Sequence, residues 1–186
     1  ALFAVQVTVE KEGTIQTGYE VRAFQSEAET FWDRVSPMQV GLQALERALL
    51  MLDAVPCPAG RMPVVLSGEA GGTMIHEACG HALEATSVGI GNSCFKDKIG
   101  HQIASSCVSA RDNARINGEW GSYYTDDEGN DSSDLLLIEN GICRNYLVDE
   151  LGSRRMGMPV TGCSRRQDYS YAPTSRLSTP YIESGN

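Results

Sequence analysis

A short stretch rich in proline and glycine sets the main limit on how this chain can fold. Pro56, Pro58 and Gly60 lie close together. Proline lacks the amide hydrogen that helices and central strands need, and glycine favours turns, so regular secondary structure should end here. We therefore predict two domains that meet at this stretch, residues 1–55 and residues 56–186.

The part before this stretch has the pattern of a β-hairpin. Apolar and polar residues alternate along Leu2–Val9 and again along Ile15–Ala23, as expected for half-buried strands. Lys11–Thr14, between the two runs, contains a glycine and is typical of a connecting turn.

Two segments have the features of longer helices. A serine–proline pair at Ser36 is typical of a helix start, and leucines follow at helical spacing, which predicts a helix around Ser36–Ala54. In the second part, Pro63–Leu66 is a short apolar run that predicts a strand. A glycine-rich turn follows it, and Thr73 can cap a helix around Thr73–Thr86.

The chain beyond residue 91 alternates between short apolar runs and turns, which predicts mainly strands and no further long helix. The predicted strands are Gln102–Val108, Ser122–Thr125, Leu135–Ile138 and Ile142–Val148. The fold class is therefore expected to be α+β, with an N-terminal hairpin plus helix from one domain, then a motif helix packed on a mainly antiparallel β domain.

Composition excludes several classes of protein. The formal net charge of −9 opposes direct binding to nucleic acid. No apolar run approaches the 18 or so residues of a membrane span, and no secretory signal pattern is present. Six cysteines without a CxxC pair predict mainly buried free thiols in a reducing compartment, hence a cytoplasmic protein.

The chemistry-bearing feature is the segment from His76 to His81, in which Glu77 directly follows the first histidine. Histidines five residues apart lie about 140° apart on a regular α-helix, which has 3.6 residues per turn. A π-type turn, with roughly 4.4 residues per turn, would bring both rings to one face. Gly80 lowers helix stability where that distortion is needed. We therefore predict that the two histidines point to one spot and that the helix is irregular there.

The residues alone leave two interpretations of this segment open. It can hold a metal ion, or it can be a chance surface pair at His76 and Glu77 with His81 as a hydrogen-bonded core histidine. Glu84, three residues after His81, is either a third metal ligand or a solvated carboxylate at the helix end.

Two other charged groups have weaker functional interpretations. Asp126, Asp127 and Glu128 resemble a cation site but fit a solvated turn better, since oxygen-ligand loops place their ligands at alternate positions. Arg165 and Arg166 can grip a peptide carboxylate, or they can lie on a solvated strand face.

The order and spacing of several motifs resemble the TldD/PmbA metallopeptidase family, on its metal-binding TldD side. A strand, a glycine-rich turn and the His76–Glu84 helix are followed by the family's downstream motifs. These are Asp126-Asp127-Glu128-Gly129, Leu137-Ile138-Glu139-Asn140-Gly141, Arg155-Met156-Gly157, Thr161-Gly162 and Arg165-Arg166. The resemblance covers residues 54–186 well and the preceding hairpin and helix more loosely.

The resemblance implies a zinc site and a catalytic base. His76 and His81 would be the metal ligands, and Glu77 would be the general base. The family's third ligand is a cysteine near the C-terminus of much longer proteins, and no cysteine here matches it. Residues 1–55 would then be the end of the N-terminal domain and residues 56–186 the first part of the metal-binding domain. Such a central fragment should be inactive by itself.

The resemblance also implies a function and partners. We expect a zinc-dependent peptidase that acts on short or unfolded peptides and pairs with a family member, as a homodimer or a heterodimer. The alternative is a non-catalytic partner or scaffold subunit of such a complex. Members of this family were historically called modulators of DNA gyrase. Direct contact with nucleic acid or membrane is not expected.

Overall fold

A computed structural model describes residues 1–185, apart from the side chain of Glu69. Asn186, the last residue of the predicted second domain, lies outside the described residues. The chain divides into two compact units. The first comprises residues 1–64 with 118–120, and the second comprises residues 65–117 with 121–186.

The first unit begins with the predicted hairpin. Strand β1 (Leu2–Lys11) pairs with β2 (Thr14–Ala23) in an antiparallel register that joins Val7 to Gly18. Gly13 has a φ of 80° and Glu12 a φ of 53°, which gives the left-handed turn that two-residue hairpin loops favour. The prediction of a hairpin is confirmed.

Two helices complete this unit. The short α1 (Ala28–Arg34) was not expected from the sequence, whereas α2 (Pro37–Leu52) confirms the predicted first long helix. Ser36 caps α2 by accepting a hydrogen bond from the Gln39 amide at 3.4 Å. The proline at the first helical position supplies a suitable φ and needs no hydrogen-bond partner.

The face that α2 buries is made of small residues rather than the leucines. Val40, Ala44 and Ala48 are buried, whereas Leu42 and Leu49 are about half exposed. Gly18 allows this close approach, because a Cβ at this position would collide with the backbone carbonyl of Ala44. Helix α2 can therefore approach the β1–β2 sheet closely, because neither element carries a bulky side chain at the contact.

Strand β2 buries a charged residue and exposes two of its large apolar ones. Ile15 and Tyr19 are exposed, whereas Glu20 is buried and forms ion pairs with Arg22 and Arg47. The hydrogen bond from Arg22 holds the pKa of Glu20 below its ordinary value, against the opposing effect of burial. A buried carboxylate is tolerated in this position because it is paired.

The second unit begins with a helix that differs from the predicted one. Helix α3 (Gly68–Ile75) starts five residues before Thr73, and its cap is Ser67, which accepts from the Ala70 amide at 3.4 Å. The glycines expected to form a turn lie inside this helix. The strand expected at Pro63–Leu66 is absent from the described structure.

An antiparallel sheet with strand order β5-β4-β3-β8 forms the centre of this unit. Its strands, in chain order, are β3 (Ala110–Asn113), β4 (Asp134–Glu139), β5 (Ile142–Cys143) and β8 (Pro180–Ile182). A separate two-stranded sheet joins β6 (Ser164–Arg165) to β7 (Thr174–Ser175). The short helices α4 (Ala85–Val88) and α5 (Glu150–Met156) complete the unit.

The strand predictions for this part are mixed. β4 confirms Leu135–Ile138, but Ile142–Val148 shortens to two residues of strand. Gln102–Val108 and Ser122–Thr125 contribute only isolated bridges, at Gln102 and at Thr125. No helix in the described part of residues 92–186 exceeds the seven residues of α5, so the expectation of no further long helix is confirmed.

The α+β class is confirmed by this mixture of helices and antiparallel sheets. One hydrophobic cluster in the second unit joins Leu83, Leu137, Leu147 and Leu177, and so connects the motif segment to the sheet. No helix in the described part of the chain is both long and apolar enough to span a bilayer.

We expect Gly18→Ala to lower the free energy of unfolding of the first unit by about 1–3 kcal/mol, the usual range for an overpacked contact. Gly41→Ala is the matched control, because a Cβ there meets no atom within 4 Å; it should raise stability by up to about 1 kcal/mol. Both tryptophans, Trp32 and Trp120, belong to this unit, so denaturant unfolding followed by fluorescence is the measurement. Equal stability of the two variants would contradict this packing.

Candidate metal centre

The helix changes its hydrogen-bond pattern at the first motif histidine. Residues His76–Gly80 form a π-helical turn, and a 3₁₀ turn, His81–Leu83, follows. The His81 amide donates to the carbonyl of His76, five residues earlier, instead of four. This inserted residue confirms the predicted departure from regular geometry.

The π turn brings the two imidazoles together. Their Nε2 atoms are 3.1 Å apart, and the ring planes are nearly perpendicular at 89°. Glu77 Oε2 lies 4.0 Å from His81 Nε2, and the Glu77 side chain is 67% exposed. One ligand atom from each of these three residues lies within 4.8 Å of the others. The prediction that the histidines point to one spot is confirmed.

The donor set fits a zinc ion. Two nitrogens that bind one tetrahedral zinc, at about 2.0–2.1 Å each, lie about 3.3 Å apart, close to the spacing seen here. Imidazole is also a common zinc ligand. Within the described residues, no further His, Cys, Asp or Glu joins His76, Glu77 and His81 in this group.

Gly80 lets the turn pack tightly against the rest of the unit. It is buried, and a Cβ at this position would collide with the side chain of Leu177. Behind the turn, Ile75, Cys79 and Leu83 line an apolar cavity of about 130 Å³ together with Leu177. Burial raises the pKa of the Cys79 thiol, and nearby Cys94 adds a smaller effect. Cys79 is therefore a packing residue of this wall.

Glu84 has neither of the two roles considered from the sequence. It is only 2% exposed, so it is not a solvated carboxylate. Its Oε1 lies 3.0 Å from His81 Nδ1, on the side of the ring away from His76, so it does not join the group as a third ligand. The Leu177 amide donates to Oε1 at 3.3 Å, and Arg176 Nη1 donates to Oε2 at 3.4 Å.

The acidic turn around Asp126 is an anchor rather than a solvated loop. Asp126 is buried, and its Oδ1 accepts from the amides of Glu128 and Asn130 at 3.0 and 2.9 Å. Its Oδ2 accepts from the Ser164 amide at 3.0 Å. Of the three acidic residues in this turn, Asp127 alone is exposed. The carboxylate at Asp126 therefore satisfies backbone donors and leaves no site for a cation there.

The six cysteines are free thiols in the described structure, but their burial differs from the expectation. Only two, Cys143 and Cys163, are fully buried, and burial raises their pKa values to about 11 and about 12. The exposed ones are Cys57, Cys94 and Cys107. The prediction of mainly buried thiols is therefore wrong for half of them.

Comparison with known proteins identifies the family. A family model described as the PmbA/TldA metallopeptidase C-terminal domain matches residues 59–186. The chain belongs to the PmbA/TldD metallopeptidase family. The resemblance seen in the sequence is thereby confirmed.

Curated relatives carry matching names. A metalloprotease of Methanocaldococcus jannaschii is 41% identical over 149 residues, covering 80% of this chain and 33% of the relative. A metalloprotease TldD homologue of Haemophilus influenzae is 39% identical over 143 residues, covering 77% and 30%. A zinc metalloprotease TldD homologue of Saccharolobus solfataricus is 32% identical over 152 residues, covering 80% and 33%. The chain spans about a third of the length of these relatives.

Solved structures share the fold. A candidate modulator of a DNA gyrase from Thermotoga maritima superposes with a TM-score of 0.80 at 20% identity, covering 99% of this chain and 40% of that one. TldE from Thermococcus kodakarensis gives a TM-score of 0.75 at 16% identity, covering 100% and 41%. At these identities the likeness supports the fold alone.

The sequence interpretation missed the residues that brace the site. Arg176 and Leu177 contact Glu84 across more than ninety positions of sequence. No periodicity or motif near Arg176 indicates this contact. The one available signal was Glu84 itself, because a carboxylate in the apolar surroundings of Leu83 and Ala85 needs distant partners when buried.

We expect Gly80→Ala to be about 1 kcal/mol less stable to unfolding than Gly72→Ala, because the buried Leu177 side chain has to shift to admit the added Cβ. Gly72→Ala is the control in the same helical segment, since a Cβ there meets no atom within 4 Å. That change should be neutral or stabilising by up to about 1 kcal/mol. Denaturant unfolding followed by far-ultraviolet circular dichroism compares them, and a Gly80→Ala variant as stable as Gly72→Ala would argue against the close contact.

Proposed function

We propose that this protein is a zinc-dependent peptidase that acts on short or unfolded peptides. His76 and His81 hold the zinc through Nε2, and Glu77 is the general base. The single observation that carries the proposal is the 3.1 Å separation of the two Nε2 atoms, with the Glu77 carboxylate beside them. Membership of a metallopeptidase family and relatives named metalloproteases support it.

Each residue has a distinct part in the reaction. Bound zinc supplies a Lewis acid that polarises the scissile carbonyl and stabilises the charge that develops on it. The Glu77 carboxylate takes a proton from the attacking water and passes it to the leaving amine. Its 67% exposure leaves it open to water and substrate. Glu77 acts on protons and not as a metal ligand.

Glu84 is a positioning residue for His81. A carboxylate that already receives the Leu177 amide acts as an acceptor, so the imidazole donates from Nδ1 to Glu84 Oε1 at 3.0 Å. The lone pair is then on Nε2, which faces His76. Such carboxylate–histidine pairs fix the ring and raise its basicity as a ligand.

The third protein ligand is expected outside these residues. Catalytic zinc sites normally use three protein ligands, and the described residues offer two imidazoles once Glu77 serves as the base. The family resemblance implies a cysteine near the C-terminus of the longer family members. Activity is therefore a property of the full-length protein, which we expect to work in the cytoplasm paired with a family member of either type.

The alternative of a non-catalytic scaffold subunit is less well supported. A scaffold has no need for two imidazoles and a carboxylate within 4.8 Å of one another. It also has no need for a buried carboxylate that orients one of those rings.

The proposal is tested by Glu77→Gln in the full-length, zinc-loaded protein. Loss of the general base should lower the rate of peptide hydrolysis by about 10²–10⁴-fold, while zinc stays bound in a one-to-one ratio. Hydrolysis is followed with fluorogenic peptides and zinc by atomic absorption. Glu139→Gln is the control, because Glu139 forms a half-exposed ion pair with Arg144 and does not belong to the group of His76, Glu77 and His81. Hydrolysis at the wild-type rate with zinc bound would overturn the role of Glu77.

A second variant tests the role of Glu84. Glu84→Gln keeps the shape but weakens the acceptor for His81 Nδ1, so the affinity for zinc should fall about 10–100-fold. Competition titration with a chromogenic chelator measures the affinity for zinc, and Glu139→Gln is again the control. An unchanged affinity for zinc would show that Glu84 serves stability only.

A further inference from the structure

A second polar feature lies beside the metal centre and has no part in the proposal so far. The β6–β7 hairpin and the residues after it form a pocket of about 380 Å³. We call it the arginine pocket, and it is lined by Arg165, Arg166, Gln167, Tyr171, Thr174 and Arg176.

Strand geometry places two of the arginines, Arg165 and Arg176, on one side of the hairpin. Arg165 is the register partner of Thr174, so their side chains leave the same face of the hairpin. Arg176 lies two positions beyond Thr174, where the alternation returns to that face. The opposite face carries Ser164 and Ser175, both fully buried. The hairpin therefore separates a buried serine face from a cationic one.

Three guanidinium groups line the pocket, and the carboxylates that pair with two of them lie outside its lining. None of its described lining residues is acidic. Arg166 lies 3.9 Å from an Asp127 carboxylate oxygen, and Arg176 lies 3.4 Å from Glu84. Arg165 donates to the carbonyl of Leu177, and its buried Nε–H has no acceptor among the described residues. A buried donor without an acceptor is costly.

The pocket is connected to the metal centre by one carboxylate. Arg176 binds Oε2 of Glu84, and Oε1 of the same group binds His81 Nδ1. In a straight line, Arg176 is therefore no farther from His81 Nε2 than about three extended residues of a peptide, at about 3.3–3.6 Å per residue. Glu84 on this line is buried, so a substrate has to pass around it over the surface and needs more than three residues to reach the pocket with its end.

We propose that the arginine pocket binds a carboxylate of the peptide substrate, and above all the C-terminal carboxylate of short peptides. The proposal rests on the proposed peptidase function. Planar guanidinium groups pair with carboxylates through two parallel hydrogen bonds, and the neutral side chains of Gln167, Tyr171 and Thr174 add donors. Polyanions are poor ligands because the chain carries a net charge of −9.

Binding is tested separately from cleavage. The full-length, zinc-loaded Glu77→Gln variant is titrated with three labelled hexapeptides of alanine and glycine, and fluorescence anisotropy reports affinity. One peptide has a free C-terminal acid, the second has a C-terminal amide, and the third is an amide with glutamate as its last residue. The acid should bind at least about tenfold more tightly than the plain amide, as expected for loss of a charge-assisted pair.

The third peptide distinguishes the source of the carboxylate. If it binds as weakly as the plain amide, the pocket selects the C-terminal carboxylate. If it binds as tightly as the acid, an acidic side chain also serves, and carboxylate recognition still holds. Equal affinity for all three peptides would overturn the proposal that the arginine pocket binds a carboxylate.

Variants assign the effect to the arginines. In the same background, Arg166→Gln and Arg176→Gln should each lower the acid-to-amide affinity ratio severalfold, and Arg166→Lys should retain part of it because it keeps the charge. Arg154→Gln is the control, since Arg154 is an exposed residue of α5. Circular dichroism checks that each variant is folded. A ratio that neither glutamine variant lowers would overturn the assignment.

The two proposals fail in different ways. If the wild-type, zinc-loaded protein cleaves acid and amide peptides alike and binds them equally, the proposal of a carboxylate pocket is wrong and the proposal of a peptidase is supported. If it cleaves neither peptide, although the Glu77→Gln variant binds the acid more tightly, the peptidase proposal is wrong and the carboxylate pocket is supported.

Discussion

The hydrogen bond from the His81 amide to the His76 carbonyl is the constraint on which the site depends. A four-residue step would leave the rings on different faces, about 140° apart. The π step turns His81 back over His76, so that two imidazoles separated by five positions meet at 3.1 Å. π turns leave backbone groups less regularly bonded than an α-helix does, so packing must hold this one in place. That packing comes from Gly80, which admits the Leu177 side chain against the turn.

The second constraint is the buried charge of Glu84. An isolated carboxylate in this apolar cluster would be strongly unfavourable, and it is tolerated because three donors converge on it. These are His81 Nδ1, the Leu177 amide and the Arg176 guanidinium. Removing any one of these partners leaves part of that charge uncompensated. The same carboxylate therefore fixes the orientation of a metal-facing ring and ties the distant segment after β7 to the motif.

The parts of this structure that could be predicted are those encoded by neighbouring residues. The hairpin followed from alternation and Gly13, α2 from Ser36 and its proline, and the meeting of His76 with His81 from spacing. The missed parts depend on partners far along the chain. β3 is a strand because β4 and β8 flank it, whereas the apolar run at Pro63–Leu66 has no partner strand among the described residues and is exposed. From the sequence, Glu84 resembled a solvated carboxylate at a helix end, because its partners Arg176 and Leu177 lie more than ninety positions away.

The segment Arg176–Leu177 joins the two halves of the proposed chemistry. Leu177 fills the space beside Gly80 and donates its amide to Glu84, while its carbonyl accepts from Arg165 in the arginine pocket. Arg176 contributes to both the pocket and Glu84. The proposed carboxylate pocket and the orientation of His81 thus depend on the same short stretch of backbone.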